Sequence, residues 1–433
     1  MGGYLRGMNV VHHMRNSQFL RHNAVFLAGS VAVGALNYLY YPVLGRLLEP
    51  GAFGEVQTLV SLFLQLGIFL MVLSMVIVNI VANYHSEARR NTFVFEFEKL
   101  ALLAGLALLA ASVVFGRQLQ AWLNFESSWP FALLALAVVA SVPFYIRGAF
   151  LRGHQRFGLV SLGQVLAAGG KLAVSAALVL LGLGTVGAIS GVVVAQAAAC
   201  MLVAWWAYRT GLKPLLSAKK ASLPDFKLLA PELRYGGVVL AASLAITLQY
   251  SIDILVIKHY FDATTAGLYA GVAAVARILF FLTASIAQVL ISKVRVNDGR
   301  GENGRTLQRS LLLLGAMSLP VLAVMVAFPS QIIGLLMGST YSGMADLLPK
   351  LSISVFIVAV INLLAAYYLA LRQYGIALLA AVGAGFTYLF IYLHHGSPTA
   401  VVESLLLGSI ATMTAIGVWI LTNKGAPLSK ARP

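Results

Sequence analysis

The stretch Gly236–Lys293, GGVVLAASLAITLQYSIDILVIKHYFDATTAGLYAGVAAVARILFFLTASIAQVLISK, decides the fold. It holds two apolar runs, 236–258 and 267–292. As α-helices rising about 1.5 Å per residue, each is long enough to cross about 30 Å of hydrocarbon. A polar turn around Phe261–Thr265 separates them. Spanning β-strands would be about 10 residues long and alternate in polarity, and these runs do neither. Each run carries a charge well inside it, Asp253 and Arg277, which a helix facing only lipid would not keep. The stretch reads as a helical hairpin in a membrane, with its polar positions turned toward other helices or a cavity.

The same pattern fills the chain. Of its 433 residues 60% are hydrophobic and 10% charged, against about 25% charged in a soluble domain. Twelve runs qualify as spans: 24–44, 56–82, 100–116, 129–146, 159–181, 186–207, 236–258, 267–292, 310–328, 347–370, 375–393 and 401–421. The first is too long for a cleaved leader and reads as a signal anchor. The expected fold is an all-α polytopic membrane protein of twelve transmembrane helices in two pseudo-symmetric bundles of six. Residues 1–207 form the first bundle, 208–235 a cytoplasmic linker, and 236–433 the second bundle.

The formal net charge of +16 would suit a nucleic-acid binder, but its distribution excludes that partner. Of 30 Lys and Arg, 24 fall in alternate connections between the runs. Four, Arg46, Arg117, Lys258 and Lys350, fall in the other connections, and Lys171 and Arg277 lie inside spans. Basic residues concentrate on the cytoplasmic side of membrane proteins, so both termini are expected there. The phospholipid bilayer is the first partner, with anionic lipids against the basic inner loops. The outer connections are short, the largest being Arg117–Ser128 and Pro329–Asp346. The stretch Glu87–Lys99, with Arg89, Arg90, Phe93, Phe95 and Phe97, is expected to lie along the interface.

The two halves also carry a repeat. Glu49 precedes Gly54 by five residues before span 2, and Asp262 precedes Gly267 by five before span 8. Phe157-Gly158 and Tyr374-Gly375 open spans 5 and 11 at nearly the same offset. Because each half has an even number of spans, an axis along the membrane normal would relate them, with a site between them near the midplane.

Polar residues inside the spans mark that site. Lys171 and Arg277 fall at similar depth, roughly 15 Å from the outer end of their spans. On span 5, Ser161, Gln164, Ala168, Lys171 and Ser175 share a stripe; on span 8, Arg277, Phe281, Ser285, Gln288 and Ser292 do. Span 1 offers Ser30, Gly34, Asn37 and Tyr41, and span 7 offers Gln249 and Asp253. One reading is a water-filled cationic passage for an anionic headgroup. The other is interhelical hydrogen bonding, with Arg277 neutralised by Asp253. Arg46, beside Glu49, either lines the outer mouth or forms an exposed ion pair.

Several chemistries are missing. The eight His lie in loops or the N-terminal tail without metal-ligand spacing, and His394-His395 reads as a solvated pair. Gly170-Lys171 lacks the first Gly and the Ser/Thr of a phosphate-binding loop, because Leu172 follows. The single Cys200 sits in an apolar run. No metal, catalytic group or cofactor is expected, and the chain does not read as an enzyme.

LGRLLEPGAFGEVQTL (Leu44–Leu59), LRGHQRF (Leu151–Phe157) and DILVIKHYFDATTAGLYAGVAAV (Asp253–Val275) resemble motifs of the Wzx-type polysaccharide flippases of the MOP superfamily. Val56 departs from the Tyr usual in the first motif. The resemblance implies two six-helix bundles around a V-shaped cavity that opens alternately inward and outward. It implies a polyprenyl-pyrophosphate-linked oligosaccharide as substrate, moved to the outer leaflet of a bacterial or archaeal cytoplasmic membrane. A polysaccharide polymerase and glycosyltransferases would be the associated proteins. It implies cationic cavity residues, with Arg277 matching in kind and Lys171 and Arg46 by location; Asn37, Gln164, Gln249 and Gln288 complete the expected lining. Coupling would come from H+ or Na+, with Asp253 as coupling residue, or from consumption of product outside. Two other classes stay open: an ion-coupled exporter of small organic compounds of the MATE type, which should carry intramembrane carboxylates for cationic cargo, and a non-transporting scaffold of a glycan-synthesis complex.

Overall fold

The computed structural model describes residues 29–83, 86–213, 226–294 and 300–422. The basic N-terminal tail, the linker around Lys219 and Lys220, Arg295, and the tail with Lys424, Lys430 and Arg432 lie outside the described residues, as does the side chain of Ser292. The described residues are helical almost throughout. In chain order they form α1 (29–47), α2 (Pro50–Asn83), α3 (Glu87–Val114), α4 (Gly116–Trp122), α5 (Trp129–Gly153), α6 (Phe157–Leu178) and α7 (Gly184–Arg209). Then come α8 (Phe226–Tyr260), α9 (Ala263–Ala276), α10 (Ile278–Lys293), α11 (Arg300–Ala327), α12 (Pro329–Leu336), α13 (Leu348–Ala370), α14 (Gly375–Leu393) and α15 (Pro398–Thr422).

Among the described residues ten helical stretches are long and apolar enough to cross a membrane. One of them, Phe157–Arg209, has 53 residues and holds both predicted spans 159–181 and 186–207. Its two arms, α6 and α7, fold back at a π-helical turn, Val179–Leu183, where Gly182 takes a positive φ of 85° and Gly184, just after it, one of 48°. Glycine tolerates those angles because it has no Cβ. Side by side, the arms come so close that a Cβ on Gly191 would overlap the backbone of Ser175. The Ser175 hydroxyl donates to the Ala188 carbonyl at 2.7 Å.

α5, α6 and α7 pack together with α2 and α3, while α8, α10, α13, α14 and α15 form a second group with α11. α2 joins the two by packing on α8 and α9. Large apolar side chains such as Leu181, Leu378 and Leu421 stay uncovered by protein, as expected where lipid rather than water is the solvent.

The stretch Glu87–Lys99 corrects an expectation. It is the first part of the continuous helix α3, not a separate interfacial segment. Phe93 is buried against Val76 and Ile80 and stacks on Phe97 at 4.3 Å between centroids. Glu98 anchors α3 to α5 through Arg147, whose Nη2 donates to Oε1 at 2.7 Å. The connections expected outside also have structure: α4 (Gly116–Trp122) covers the first part of 117–128, and α12 with a 3-10 segment Ser339–Leu347 takes up most of 329–347. At the α8–α9 turn, Asp262 caps α9 by accepting from the Thr265 N–H at 3.0 Å. Hydrogen bonds from the side chain and the N–H of Thr265 hold its carboxyl below the usual carboxylate range.

Gly191→Leu should separate α6 from α7 and lower stability by about 3 kcal/mol, the upper end of overpacking costs. A clear drop in apparent unfolding temperature in detergent would be the measured sign.

Candidate functional site

Between the two helix groups, the two cations inside the spans meet very different surroundings. Arg277 stands at the junction of α9 and α10, where one residue leaves the regular helix. It is 6% exposed, and Asp253 on α8 is 1% exposed. Arg277 Nη2 donates to Asp253 Oδ1 at 2.7 Å, and Nε donates to the Tyr250 carbonyl at 3.1 Å. The Tyr269 hydroxyl donates to the other carboxylate oxygen at 2.7 Å. The Tyr250 ring lies 5.8 Å from the guanidinium carbon. The pairing of Arg277 with Asp253 is therefore the arrangement present. Tyr269 completes it, sixteen residues after Asp253 in the same hairpin.

Lys171 on α6 has only neutral partners. Its ammonium donates to Asn37 Oδ1 on α1 at 2.6 Å and lies 4.4 Å from the centroid of the Tyr40 ring. It enters none of the ion pairs formed among the described residues, which are Arg147–Glu98, Arg277–Asp253 and Lys350–Glu403. An aromatic bridge joins the two cations. Tyr40 meets Tyr41 edge-on at 5.9 Å, and Tyr41 stacks on Phe281 at 6.2 Å. Phe281 meets Phe280, which stacks on Tyr250 at 4.4 Å. Lys171, Asn37 and Arg277 thus line one continuous polar and aromatic strip from α6 through α1 to α8 and α10.

The remaining expected lining residues divide. Gln164 is half-buried on α6 and Gln288 is exposed on α10. Gln249 turns away, into the second helix group. Its amide donates to Thr412 Oγ1 at 2.7 Å and reaches Thr387 Oγ1 and the Gly408 carbonyl at 3.5 Å. α14 and α15 are close enough there that a Cβ on Gly408 would overlap Thr387. Arg46 forms no pair with Glu49. It reaches across to α12, donating from Nε to the Leu336 carbonyl at 3.2 Å and from Nη2 to the Leu335 carbonyl. This caps the carbonyl end of a helix, where unsatisfied acceptors and negative helix dipole favour a cation. His395 is not simply solvated: it stacks on Tyr260 at 3.9 Å.

A second charged group escaped the sequence. Glu55 on α2 is 3% exposed and accepts from the Glu126 N–H at 2.7 Å and the Thr185 hydroxyl at 2.8 Å. Lys258, at the end of α8, is 1% exposed and lies 5.1 Å from the Phe125 ring centroid. Both sat at predicted span ends, where charges are ordinary. The α4–α5 connection packs over both, and Thr185 of α7 closes on Glu55.

Breaking a buried ion pair by removing one partner costs about 3–5 kcal/mol, while replacing both with neutral groups is often tolerated. Asp253→Ala should accordingly lower the unfolding temperature sharply, and Asp253→Asn with Arg277→Gln should regain most of it. Equal loss in the single and double variants would show that the pair is not the stabilising unit.

The family described as "Polysaccharide biosynthesis protein" matches residues 43–346. No curated protein matches the chain. Among solved structures, a lipid II flippase MurJ in an inward closed conformation is similar with a TM-score of 0.74 at 11% identity, covering 93% of this chain and 87% of that one. An inward-facing multidrug resistance MATE transporter of the MOP superfamily gives 0.67 at 14% identity, covering 94% and 99%. A MOP superfamily transporter from Pyrococcus furiosus, described as having a binding pocket of reverse polarity that suggests a different function, gives 0.59 at 14%, covering 95% and 96%. A multi-pass membrane protein on the MOP-superfamily fold, the chain belongs to the polysaccharide biosynthesis protein family.

Proposed function

We propose that this protein is a flippase that carries a lipid-linked oligosaccharide from the cytoplasmic to the outer leaflet by alternating access, for surface polysaccharide synthesis. In this reading the chain crosses the membrane twelve times with both termini cytoplasmic. Bundles 1–207 and 236–433 rock about a central site in the cytoplasmic membrane of a bacterium or archaeon. A polymerase and glycosyltransferases act before and after it.

The observation that carries the reading is Lys171. An ammonium inside a membrane span is costly unless a partner or function offsets it, and its contacts here, Asn37 and Tyr40, carry no negative charge. A pyrophosphate or an acidic sugar supplies the missing charge. The lipid tail stays in the bilayer while the sugars occupy the polar strip beside Asn37 and Gln164. Arg277 plays a different part, since Asp253 already compensates it. It orders the α8–α10 side of the site, and any H+ or Na+ coupling through Asp253 would act by loosening that pair. The same balance disfavours an exporter of small organic cations, whose cargo would meet an uncompensated positive charge. MATE transporters share the fold, but the charge at the centre points to an anionic headgroup.

A hydrogen bond involving a charged group contributes about 1.5–3 kcal/mol, and each 1.4 kcal/mol is about tenfold in affinity. Lys171→Gln should therefore cut transport of a fluorescent undecaprenyl-pyrophosphate oligosaccharide in proteoliposomes by about tenfold to a hundredfold. Lys171→Arg should keep a substantial part of it, with both variants inserted and folded normally. Full transport by Lys171→Gln would remove the basis of the proposal, and so would a scaffold role in which the wild-type protein moves no lipid.

A further inference from the structure

At the side that the charge pattern assigns to the outside, six rings join into a continuous ribbon. Trp122 closes α4, His259 and Tyr260 close α8, Tyr388 and Tyr392 lie on the last two turns of α14, and His395 follows that helix. The Trp122 ring stacks on His259 at 4.7 Å between centroids, and His259 meets Tyr260 edge-on at 4.5 Å. Tyr260 stacks on His395 at 3.9 Å, His395 meets Tyr392 at 6.2 Å, and Tyr392 stacks on Tyr388 at 6.4 Å. From Tyr260 to Tyr388 the successive planes differ by only 28°, 38° and 28°. Trp122, Tyr260, Tyr388 and Tyr392 are each between 42% and 54% exposed, so they keep open ring faces. Local bonds hold the ribbon in place. Asn124 donates to the His259 carbonyl at 3.0 Å and ties the end of α4 to α8. His259 and His395 direct Nδ1 at the Trp122 and Tyr392 carbonyls, each at 2.6 Å. A carbonyl oxygen only accepts, so Nδ1 carries the hydrogen and the neutral ring leaves Nε2 as an acceptor. The phenol groups both donate and accept. The ribbon therefore combines open aromatic faces with hydrogen-bonding edges, and none of its six members is Lys or Arg.

We propose that this ribbon is a carbohydrate-binding platform that receives neutral hexopyranose units of the glycan on the outer side. This rests on the lipid-linked oligosaccharide reading above. A pyranose ring has both properties that the ribbon matches. Its axial C–H bonds form an apolar patch of slightly positive hydrogens, which suits the electron-rich face of an aromatic ring. Its hydroxyls lie at the rim, where the imidazole Nε2 atoms and the phenol groups meet them. A phospholipid headgroup is a poorer match, because its phosphate calls for a cationic partner. Tyr and Trp at a membrane surface serve as interfacial anchors one by one. Here each ring rests on the next, across elements of both helix groups, an order that anchoring does not require. The near-parallel run from Tyr260 to Tyr388 gives successive sugars successive faces, as aromatic side chains do for successive bases of a single strand. Tyr388 lies one turn before Tyr392 on α14, so the ribbon descends toward the bilayer, where the sugar nearest the lipid sits.

Saturation-transfer NMR on the full-length protein in lipid nanodiscs tests the platform, with maltohexaose and cellohexaose as probes. Irradiation of the protein's aromatic protons should carry saturation to the ring C–H protons of a bound hexaose. Removal of one ring should weaken binding about twofold to tenfold, the worth of a single aromatic contact. Tyr392→Ala and Tyr260→Ala should each show this loss. Tyr392→Leu keeps an apolar contact with lipid but no ring, and should lose as much as Tyr392→Ala. Tyr392→Phe should keep most of the binding, and Lys171→Gln should leave it unchanged. Absence of transfer to both hexaoses in the wild-type protein would overturn the platform and leave the ribbon an anchor in lipid headgroups. Equal transfer in the wild type and in Tyr260→Ala with Tyr392→Ala would overturn it as well. Ribbon-dependent transfer in a protein that moves no lipid-linked oligosaccharide would leave the platform standing and refute the transport reading. Transport by a protein that binds neither hexaose would do the reverse.

Discussion

The constraint on which this structure depends is that a charge inside a membrane must be answered. The Arg277–Asp253 pair answers it fully. Both carboxylate oxygens are engaged, by the guanidinium and by Tyr269, and the remaining guanidinium contact goes to the Tyr250 carbonyl. In low dielectric such a pair holds only when its geometry is complete. The pair ties α8 to the α9–α10 junction and so fixes the wall of the second helix group that faces α1. The irregular backbone at Arg277 interrupts a candidate span, Ala263–Ile291, and such a break is tolerated in a membrane where protein covers it.

Lys171 is the complementary case. It occupies the matching depth in the first half, but its partners are an amide and an aromatic ring. Cation–π contact and one hydrogen bond stabilise the ammonium without cancelling its charge. The asymmetry leaves one cation neutralised by a carboxylate and the other with neutral partners. The run Tyr40, Tyr41, Phe281, Phe280 and Tyr250 connects them through successive ring contacts.

The same principle orders the helix ends that the charge pattern assigns to the outside. Arg46 and Asn124 satisfy carbonyls that belong to the other helix group, and Glu55 draws the α4–α5 connection and α7 onto α2. These polar contacts border a shared apolar core, in which Leu44, Phe53 and Val56 of the first group join Ile257, Tyr269 and Tyr341 of the second. The glycine crossing of α2 and α9 lets the two backbones approach closely beside that core.

By itself the sequence determined that this is a multi-pass helical membrane protein, because run length and polarity are local quantities. It also determined which charges lie within spans, so Lys171, Arg277 and Asp253 stood out before any packing was known. The pairing of Arg277 with Asp253 was legible as one of two arrangements, since the hairpin brings them near. What tertiary structure alone decided is which polar groups meet. Helical spacing puts Gln249 and Asp253 on one stripe, yet the first bonds α14 and α15 while the second bonds Arg277. Arg46 sits beside Glu49 in the chain but caps α12, and Glu87–Lys99 has an interfacial pattern but begins a packed helix. Gly54 and Gly267 were legible as a repeat and not as a contact. The physical reason is common to these cases: periodicity says which face a residue occupies, and only the arrangement of neighbouring helices says what that face meets.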